Sequence, residues 1–407
     1  MSDPNPSPPA LGLVSANINM IDEWSHLLPG PERGAFVKAC TEAGETADEG
    51  HLQSILTCYF STWKTTLMAD DLSRLQMLAM AKYEQIRCYV KVIWLEDETD
   101  KIGYDEMSPS ESFLIWPRLK DGRVAAEALG VELLKAMLAS QQLRPDRLEI
   151  RDKRSEFADD APLDPETAAI LARNILDGAD LAITAFTLRT PSAYETMIVA
   201  ELSAENQGQG IGFSLVRKAD LCFTKILNPY SYWADRILLH GLALKELSLS
   251  VSQPATTPHL PPFISNNTVW PALEKFELSI SGLPISTIMA ILSNSQQSLT
   301  GISFFLMTLG EKSTWANVLS RIANEFPHLT WFVLTNLSEG HIGGGPINFI
   351  SLLDKDLMAS EPYKSGLKMV QRGIGDYKRI SRVEYEGPNA SHVLGIVAEC
   401  AVAKPRS

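Results

Sequence analysis

The segment Leu244-Lys-Glu-Leu-Ser-Leu249 carries apolar residues at its first, fourth and sixth positions. The same spacing returns in three later segments, Leu273-Glu-Lys-Phe-Glu-Leu278, Leu299-Thr-Gly-Ile-Ser-Phe304 and Leu329-Thr-Trp-Phe-Val-Leu334. Their fourth positions lie 29, 26 and 30 residues apart along the chain. A fixed period near thirty residues is typical of stacked repeats, in which each repeat adds one strand to a shared sheet. The four segments therefore predict a repeat architecture.

A helix is predicted before two of the strands that carry this pattern. The first begins at Asp164-Pro165-Glu166, a capping side chain followed by proline, and Gly178 is placed to end it. The strand pattern Ile183-x-x-Phe186-x-Leu188 follows directly. The second helix is predicted from Ser313, as its cap, to Phe326. The repeating unit is therefore a helix, a short loop and a strand.

The predicted fold class is α/β, a leucine-rich-repeat-like solenoid with parallel strands and outer helices. Weaker strands of the same ladder are predicted around Leu148, Leu221 and Val383. The predicted domains are a disordered tail (1–19), a mainly helical N-terminal region (20–141) and the leucine-rich-repeat-like domain (142–407). An ordinary doubly wound sheet is the alternative, because it also alternates helix and strand.

The N-terminal region combines helical and strand patterns. Asp70 and Asp71 suit the start of a helix that runs to Ala79, with apolar residues three and four apart. The apolar, β-branched run Ile86–Trp94 predicts a strand. A further helix is predicted over about 122–140.

Composition and charge narrow the classes of function. The chain of 407 residues is 45% hydrophobic with a formal net charge of −13, which is typical of a folded protein and disfavours nucleic acid or an anionic membrane as partner. No apolar run is long enough to span a membrane. The five scattered cysteines predict no disulfide framework, so the expected location is cytoplasmic or nuclear. An acidic stretch is predicted to be a solvated loop or, alternatively, a docking site for a basic partner; it contains Glu96, Asp97, Glu98, Asp100, Asp105, Glu106 and Glu111.

Residues between the apolar formula positions are expected to face the open side of the sheet, because neighbouring side chains in a strand alternate sides. The residues predicted there are Glu246, Ser248, Lys275, Glu277, Ser279, Ser303, Phe305, Trp331, Val333 and Thr335. Phe305 and Trp331 are the predicted binding residues, together with Lys275 and Glu277, because exposed aromatic side chains favour interfaces. The alternative is that the C-terminal tail or the insertion between Leu334 and Ile380 covers the two aromatic residues.

Motifs for catalysis, cofactors and metals are weak. Gly208-x-Gly210-x-Gly212 lacks the spacing of a phosphate loop, and His341-Ile-Gly343-Gly-Gly345 has no nucleophile turn to accompany it. The seven histidines show no ligand spacing. We therefore predict no catalytic residue, no cofactor and no metal. A basic segment is predicted to be a solvated face, an internal partner of the acidic stretch, or a contact for an acidic protein; it contains Lys364, Lys368, Arg372, Lys378, Arg379 and Arg382.

Several motifs resemble large fungal F-box proteins with leucine-rich repeats. The resemblance covers roughly residues 55–337; its motifs are Tyr59-Phe60, Asp71-Leu72-x-x-Leu75, Tyr89-Val90-x-x-Ile93-Trp94, Leu244–Leu249, Trp270–Leu278, Ser298–Ile302, Trp315–Leu319 and Leu329. It implies a substrate receptor of a cullin–RING ubiquitin ligase. The F-box itself is degenerate or absent: His26–Glu32 and Phe36–Cys40 are remnants, and residues 41–53, rich in Thr, Glu and Gly, stand where its later helices belong.

The predicted function is non-enzymatic protein recognition. The expected partner is a protein on the open face of the repeat sheet, with a Skp-type adaptor and a cullin as possible further partners. A generic leucine-rich-repeat scaffold without a ubiquitin role is the first alternative. An α/β enzyme is the second, and it would need a polar pocket of convergent acid, base or nucleophile groups.

Overall fold

The structure is a computed structural model of the chain. The residues it describes are 18–46, 49–67, 76–78, 80, 83–97, 116–117, 124–125, 128–140, 143–152, 163, 165–192, 211–226, 243–254, 270–280, 283, 285–310, 314–340, 345–353, 366–372 and 378–403. The chain divides into two compact units, the first formed by Met1–Arg154 and Ile170–Ile183 and the second by Ser155–Ala169 and Thr184–Ser407. The tail 1–17 and most of the helix predicted at 70–79 lie outside the described residues, and the predicted domain boundary at 141 stays a prediction.

Three helices open the first unit: α1 (Ile18–Ser25), α2 (Gly30–Thr46) and α3 (Glu49–Phe60). Phe36 of α2 is fully buried, and its ring makes edge contacts with Tyr59 and Phe60 of α3 at 5.3 and 5.4 Å between centroids. The region 41–53, rich in Thr, Glu and Gly, is thus largely helical, since α2 ends and α3 begins within it. Aromatic packing on both sides of this region stabilises helices that its own composition disfavours.

A parallel sheet completes the first unit. Its strands are β1 (Thr62–Thr66), β2 (Val92–Asp97) and β3 (Arg147–Asp152), paired in chain order. Two further helices belong to this unit, α4 (Glu84–Arg87) and α5 (Leu129–Ala139). The prediction of a strand at Ile86–Trp94 is wrong for its first half. Ile86 lies in the short helix α4, where its side chain is buried, and the strand begins only at Val92. Strand β3 lies where the weak strand around Leu148 was predicted.

The repeat pattern forms parallel strands in chain order in the second unit. The strands are β4 (Ala185–Ser192), β5 (Lys218–Ile226), β6 (Glu246–Pro254), β7 (Lys275–Ile280), β8 (Gly301–Phe305) and, beyond a short strand described below, β10 (Trp331–Thr335). Each strand pairs in parallel with the next. The apolar positions of the repeated pattern are register partners, so that Leu247 lies beside Phe276 and Ile302 lies beside Phe332 on the adjacent strands. All four of these side chains are buried. The predicted order and direction of these strands are confirmed.

Helices of this ladder follow the predicted positions with small shifts. The helix α6 (Pro165–Gly178) ends at the glycine expected to end it. The residues of α6 from Ile170 onward belong to the first unit, whereas the helices α7 (Ile285–Ser293) and α8 (Trp315–Glu325) belong to the second. The cap of α8 is Thr314, whose side chain accepts a hydrogen bond from the backbone of Asn317, rather than Ser313, which lies outside the described residues.

A second, shorter ladder follows the main strands. Strand β9 (Thr308–Leu309) pairs in parallel with β11 (Ser338–Glu339), and Leu283 bridges to Leu309. Leu283, Leu309 and Glu339 each lie seven residues after the central formula position of their own strand. The backbone turns between the two ladders at Leu306 and Asn336, which have φ values of 53° and 52°. The segment with β8 and β9 and the segment with β10 and β11 therefore have the same arrangement of a long strand, a corner and a short strand.

Glu339 joins this second ladder to helix α8. Its buried carboxylate accepts a hydrogen bond from the backbone N–H of Trp315, the first residue of α8, at 3.0 Å. The indole N–H of Trp315 donates to the carbonyl of Ser338 at 2.9 Å. The positive end of the helix dipole thus lies next to a carboxylate. The equivalent positions of the two preceding segments are Leu283 and Leu309.

The sheet of the second unit ends with two antiparallel pairings, β10 with β14 and β14 with β13. The described elements there are β12 (Ile347–Asn348), a 3₁₀ turn (Ile350–Leu353), β13 (Leu367–Arg372), β14 (Arg379–Glu386), helix α9 (Ala390–Glu399) and β15 (Val402–Ala403). The strand predicted around Val383 is β14, but it runs antiparallel to β10, which corrects the prediction that it continues the parallel ladder. Strand β13 lies last in the order, antiparallel to β14, with an irregular register between Val370 and Gln371. The chain is therefore a mixed α/β protein with a large, mostly parallel sheet.

Candidate functional site

The surface that we call the open face is formed by the side chains between the formula positions of β5 to β8. One row across it consists of Lys218, Glu246, Lys275 and Gly301, which lie in register. The next row consists of Asp220, Ser248, Glu277 and Ser303. The formula residues on the same strands are buried on the other side, so the alternation expected of strands with one solvated side holds here.

Charges of opposite sign alternate along the first row. The Glu246 carboxylate lies 2.8 Å from the Lys218 ammonium on one side and 3.7 Å from that of Lys275 on the other. The hydrogen bond that Lys218 donates holds the pKa of Glu246 below its usual value. In the neighbouring row, Arg189 of β4 binds Asp220 at 2.7 Å. Two of the carboxylates on this face are therefore neutralised by cations on adjacent strands.

Glu277 differs from these two carboxylates. Among the described residues no ion pair includes it, although its side chain is exposed to solvent and Lys275 lies on the same strand. Partial desolvation against the sheet raises the pKa of Glu277. The cations of Lys218 and Lys275 lower this pKa and the charges of Asp220 and Glu246 raise it, so desolvation is the main cause of the net rise. Its neighbours in the row, Ser248 and Ser303, are small. Within the part of the chain that the structure describes, this carboxylate is thus accessible and has cations nearby but forms no ion pair.

The raised pKa leads to a prediction for the variant Glu277→Gln. A carboxyl group with a higher pKa in the folded than in the unfolded chain is less favourable when ionised in the folded chain, so it lowers stability at neutral pH. We expect Glu277→Gln to raise the melting temperature slightly at pH 7. The gain should vanish as the pH falls through the pKa of Glu277, because both side chains are then neutral. Thermal unfolding of both proteins between about pH 3.5 and pH 8 measures this. A variant less stable than wild type at pH 7 would contradict it.

The predicted aromatic residue Trp331 lies half-buried above a glycine. A Cβ atom added at Gly301, its register partner on β8, would lie 2.7 Å from Cε3 of the indole and 3.4 Å from Cγ of Lys275. Only glycine permits this close approach of the ring to the β8 backbone. The structure therefore brings Trp331 of β10 beside Lys275 of β7 across Gly301, and Glu277 lies two residues after Lys275 on the same strand.

Phe305 lies apart from Trp331, although both are on the paired strands β8 and β10. Trp331 is level with Gly301, whereas Phe305 is level with Thr335, four residues further along the strands. Phe305 is exposed, as predicted, and so is the adjacent Leu306. The predicted exposure of Val333 and Thr335 is wrong, because both are buried. These two side chains lie on β10 between β8 and the reversed strand β14, which the sequence did not place beside them.

The charged segments outside the open face form mostly local pairs. In the basic segment, Arg382 and Lys368 lie 2.8 and 3.6 Å from the same carboxylate, that of Glu384. Lys364 lies outside the described residues. In the acidic stretch, Glu96 and Asp97 are buried at the end of β2, so for these two residues the prediction of a solvated loop is wrong. The rest of that stretch, and the glycines at 208, 210, 343 and 344, lie outside the described residues.

Sequence reasoning missed a charged cluster around Trp94 on the sheet of the first unit. The Arg151 guanidinium lies 4.1 Å and the Lys64 ammonium 5.3 Å from the centre of the indole ring. Lys64 pairs with the buried Glu96, while Arg147 and Arg151 both bind the buried Glu149. Charged residues at every second position of β3, Arg147, Glu149 and Arg151, could have indicated it. The ion pairs account for both carboxylates of this cluster.

Two searches of the described residues gave no site of another kind. No helix among them is long and apolar enough to cross a membrane. Within the same part of the chain, no three His, Cys, Asp or Glu side chains gather in a way that could hold a metal ion. In comparisons with known proteins, no family model matches the sequence and no curated protein is significantly similar to it.

Proposed function

We propose that the chain is a non-enzymatic protein-recognition module built as a leucine-rich-repeat-like solenoid. The observation that carries this proposal is the strand order, in which the formula strands from β4 to β10 pair in parallel and in chain order. A doubly wound sheet would reverse its strand order near the middle. The corner at Leu306 and its counterpart at Asn336 repeat the same turn one unit later, which further supports a repeating unit.

The open face is the surface that we propose for partner binding. In repeat proteins the sheet offers an extended surface, since each repeat contacts only its neighbours and adds side chains to one face. Here that face combines paired charges, small serines, the exposed Phe305 and the accessible carboxylate of Glu277. Exposed aromatic groups among polar residues are favourable for protein contacts.

The further proposal of an F-box-like receptor rests on the N-terminal helices. Helices α1 to α3 occupy residues 18–60, where adaptor docking would take place in such a receptor. Phe36, in one of the remnant motifs, is buried between α2 and α3. This role would require the cytoplasm or nucleus, where the ubiquitin ligase components reside, and association with a Skp-type adaptor and a cullin.

Affinity purification of the full-length tagged chain tests both proposals. We expect Ser248→Tyr, which puts a large side chain in the centre of the open face, to remove the bound partner proteins. The same substitution at Ser293, an exposed residue at the end of α7, is the matched control and should retain them. An unchanged set of bound proteins in Ser248→Tyr would overturn the recognition proposal. Absence of an adaptor and a cullin from the wild-type sample would leave a scaffold without a ubiquitin role.

A further inference from the structure

Two large apolar side chains stand exposed together where β8 ends. Phe305 is 45% exposed and Leu306 is 52% exposed. The phenylalanine before them, Phe304, is fully buried, so the exposed pair is not a loosened part of the core. Exposed neighbouring apolar residues on an otherwise polar face have an unfavourable contact with water that a partner would relieve.

Leu306 also adopts a backbone conformation that its side chain disfavours. Its φ of 53° lies in the left-handed region, where a branched side chain meets the carbonyl oxygen that follows it. The equivalent corner one repeat later carries Asn336 at φ 52°, and asparagine tolerates this region well. In both corners the backbone N–H donates to the next strand: Leu306 to Thr335 at 2.9 Å and Asn336 to Ser381 at 2.8 Å. The fold therefore needs the corner, and an asparagine would form it at lower cost.

The accessible carboxylate of Glu277 lies near this apolar pair. Glu277 is in register with Ser303, two residues before Phe305 on the adjacent strand. Strand geometry puts the two rows about 7 Å apart along the strands, which is the distance between alternate side chains of an extended chain. An extended partner lying along the strands would thus present one side chain to Phe305 and Leu306. The side chain two positions away in the partner would lie at Glu277.

We propose that Phe305, Leu306 and Glu277 form a single recognition element for an extended protein segment that carries an apolar residue two positions from a lysine or arginine. The apolar residue packs on Phe305 and Leu306, and the cation pairs with Glu277. Charge complementarity selects this occupant, because the neighbouring carboxylates of Asp220 and Glu246 already form ion pairs. Glu277 lies near Lys218 and Lys275 but forms no ion pair among the described residues. This inference rests on the proposed recognition function and specifies its partner. It explains why a disfavoured leucine stands at a corner that asparagine forms elsewhere.

Peptide selection on the immobilised full-length chain tests the inference. The probe is a phage-displayed library of random dodecapeptides. We expect the selected peptides to carry Lys or Arg two positions from an apolar residue. Their binding should weaken about tenfold in Leu306→Asn and in Glu277→Gln, as for residues at the centre of an interface. It should be lost in Ser248→Tyr and retained in Ser293→Tyr.

Thermal unfolding supplies a second measurement that does not depend on a ligand. Leu306→Asn should raise the melting temperature by about 2 °C, because the corner is relieved of strain while no buried contact is lost. The converse variant Asn336→Leu should lower it. A leucine that serves only the fold would give the opposite result for Leu306→Asn, a less stable protein.

The outcomes separate this inference from the proposed function. The selected peptides could fail to bind Ser248→Tyr and yet bind Leu306→Asn and Glu277→Gln as tightly as wild type. That result would overturn the recognition element and leave the open face as the binding surface. Peptides unaffected by all three variants would overturn both. Failure to select any peptide above the background of the bare support would overturn the inference that an extended segment is recognised.

Discussion

Replacing Phe304 by alanine should lower the free energy of unfolding by about 3–5 kcal/mol. Phe304 is fully buried and its ring contacts Trp315 of α8 at 5.4 Å between centroids, so the side chain joins the sheet to the helix layer. Truncation removes the buried ring and leaves a cavity between two rigid elements that cannot close around it. Equilibrium unfolding in urea, followed by circular dichroism, measures the loss.

Phe305→Ala is the matched control, since it removes the same group from the next residue of the same strand. Phe305 points to the open face and is 45% exposed, so its loss should cost no more than about 1 kcal/mol. Equal losses in the two variants would show that Phe305 is part of the core. They would also remove Phe305 from the surface that we propose for partner binding.

Replacing Glu339 by alanine should cost about 2–3 kcal/mol of stability. The backbone N–H of Trp315 would lose its acceptor in a buried position, and the N-terminus of α8 would lose the negative charge next to it. The second ladder would also lose the side chain that links it to the helix. Urea unfolding measures the change, and hydrogen exchange of the Trp315 amide reports whether the first turn of α8 opens.

Glu339→Gln separates the acceptor from the charge. Glutamine keeps an oxygen that accepts the Trp315 N–H but carries no charge, so its loss of stability should be about 1 kcal/mol and smaller than that of alanine. A glutamine variant as unstable as the alanine variant would show that the charge, rather than the hydrogen bond, stabilises this corner. Wild-type stability in Glu339→Ala would show that the contact contributes nothing.

The parallel part of the fold was predictable because the apolar spacing records it directly. Leu247, Phe276, Ile302 and Phe332 face the same core, and their common spacing follows from that shared environment. The direction of β14 was not predictable, because a strand has the same alternation in either direction. A hairpin with β13 reverses it, and the intervening residues carry no apolar period that would indicate such a return.

The N-terminal helices were harder to predict than the repeats. Helix α2 carries glycines at Gly34 and Gly44 and ends among threonine and glutamate, so its local propensity is low. It is stabilised by Phe36 against Tyr59 and Phe60, a contact between residues more than twenty positions apart. Periodicity within one segment cannot record such a contact, so the prediction of a mainly helical region at 20–141 did not give the bounds of α2 and α3.

For the candidate site, the sequence predicted which side chains are exposed but not which charged side chains form ion pairs. Alternation along β7 and β8 correctly indicated exposed side chains at Lys275, Glu277 and Phe305. Which carboxylate forms an ion pair with a neighbouring strand depends on the register between strands, and no single segment carries that information. Leu306 was missed for another reason. Its exposure arises from the corner after the strand, where the backbone leaves the alternating pattern.

The last strand of the sheet has a consequence for how copies of this protein behave when crowded. An exposed strand with unpaired backbone groups is a template on which another chain can add, and a long parallel ladder would offer a flat one. Here the final strand is β13, which pairs antiparallel with β14, is irregular at Val370 and Gln371, and carries exposed Lys368 and Arg372. A second copy that approaches this edge with its own β13 meets like charges and a strand of irregular register. The same segment that ends the ladder thereby opposes end-to-end self-assembly into fibres.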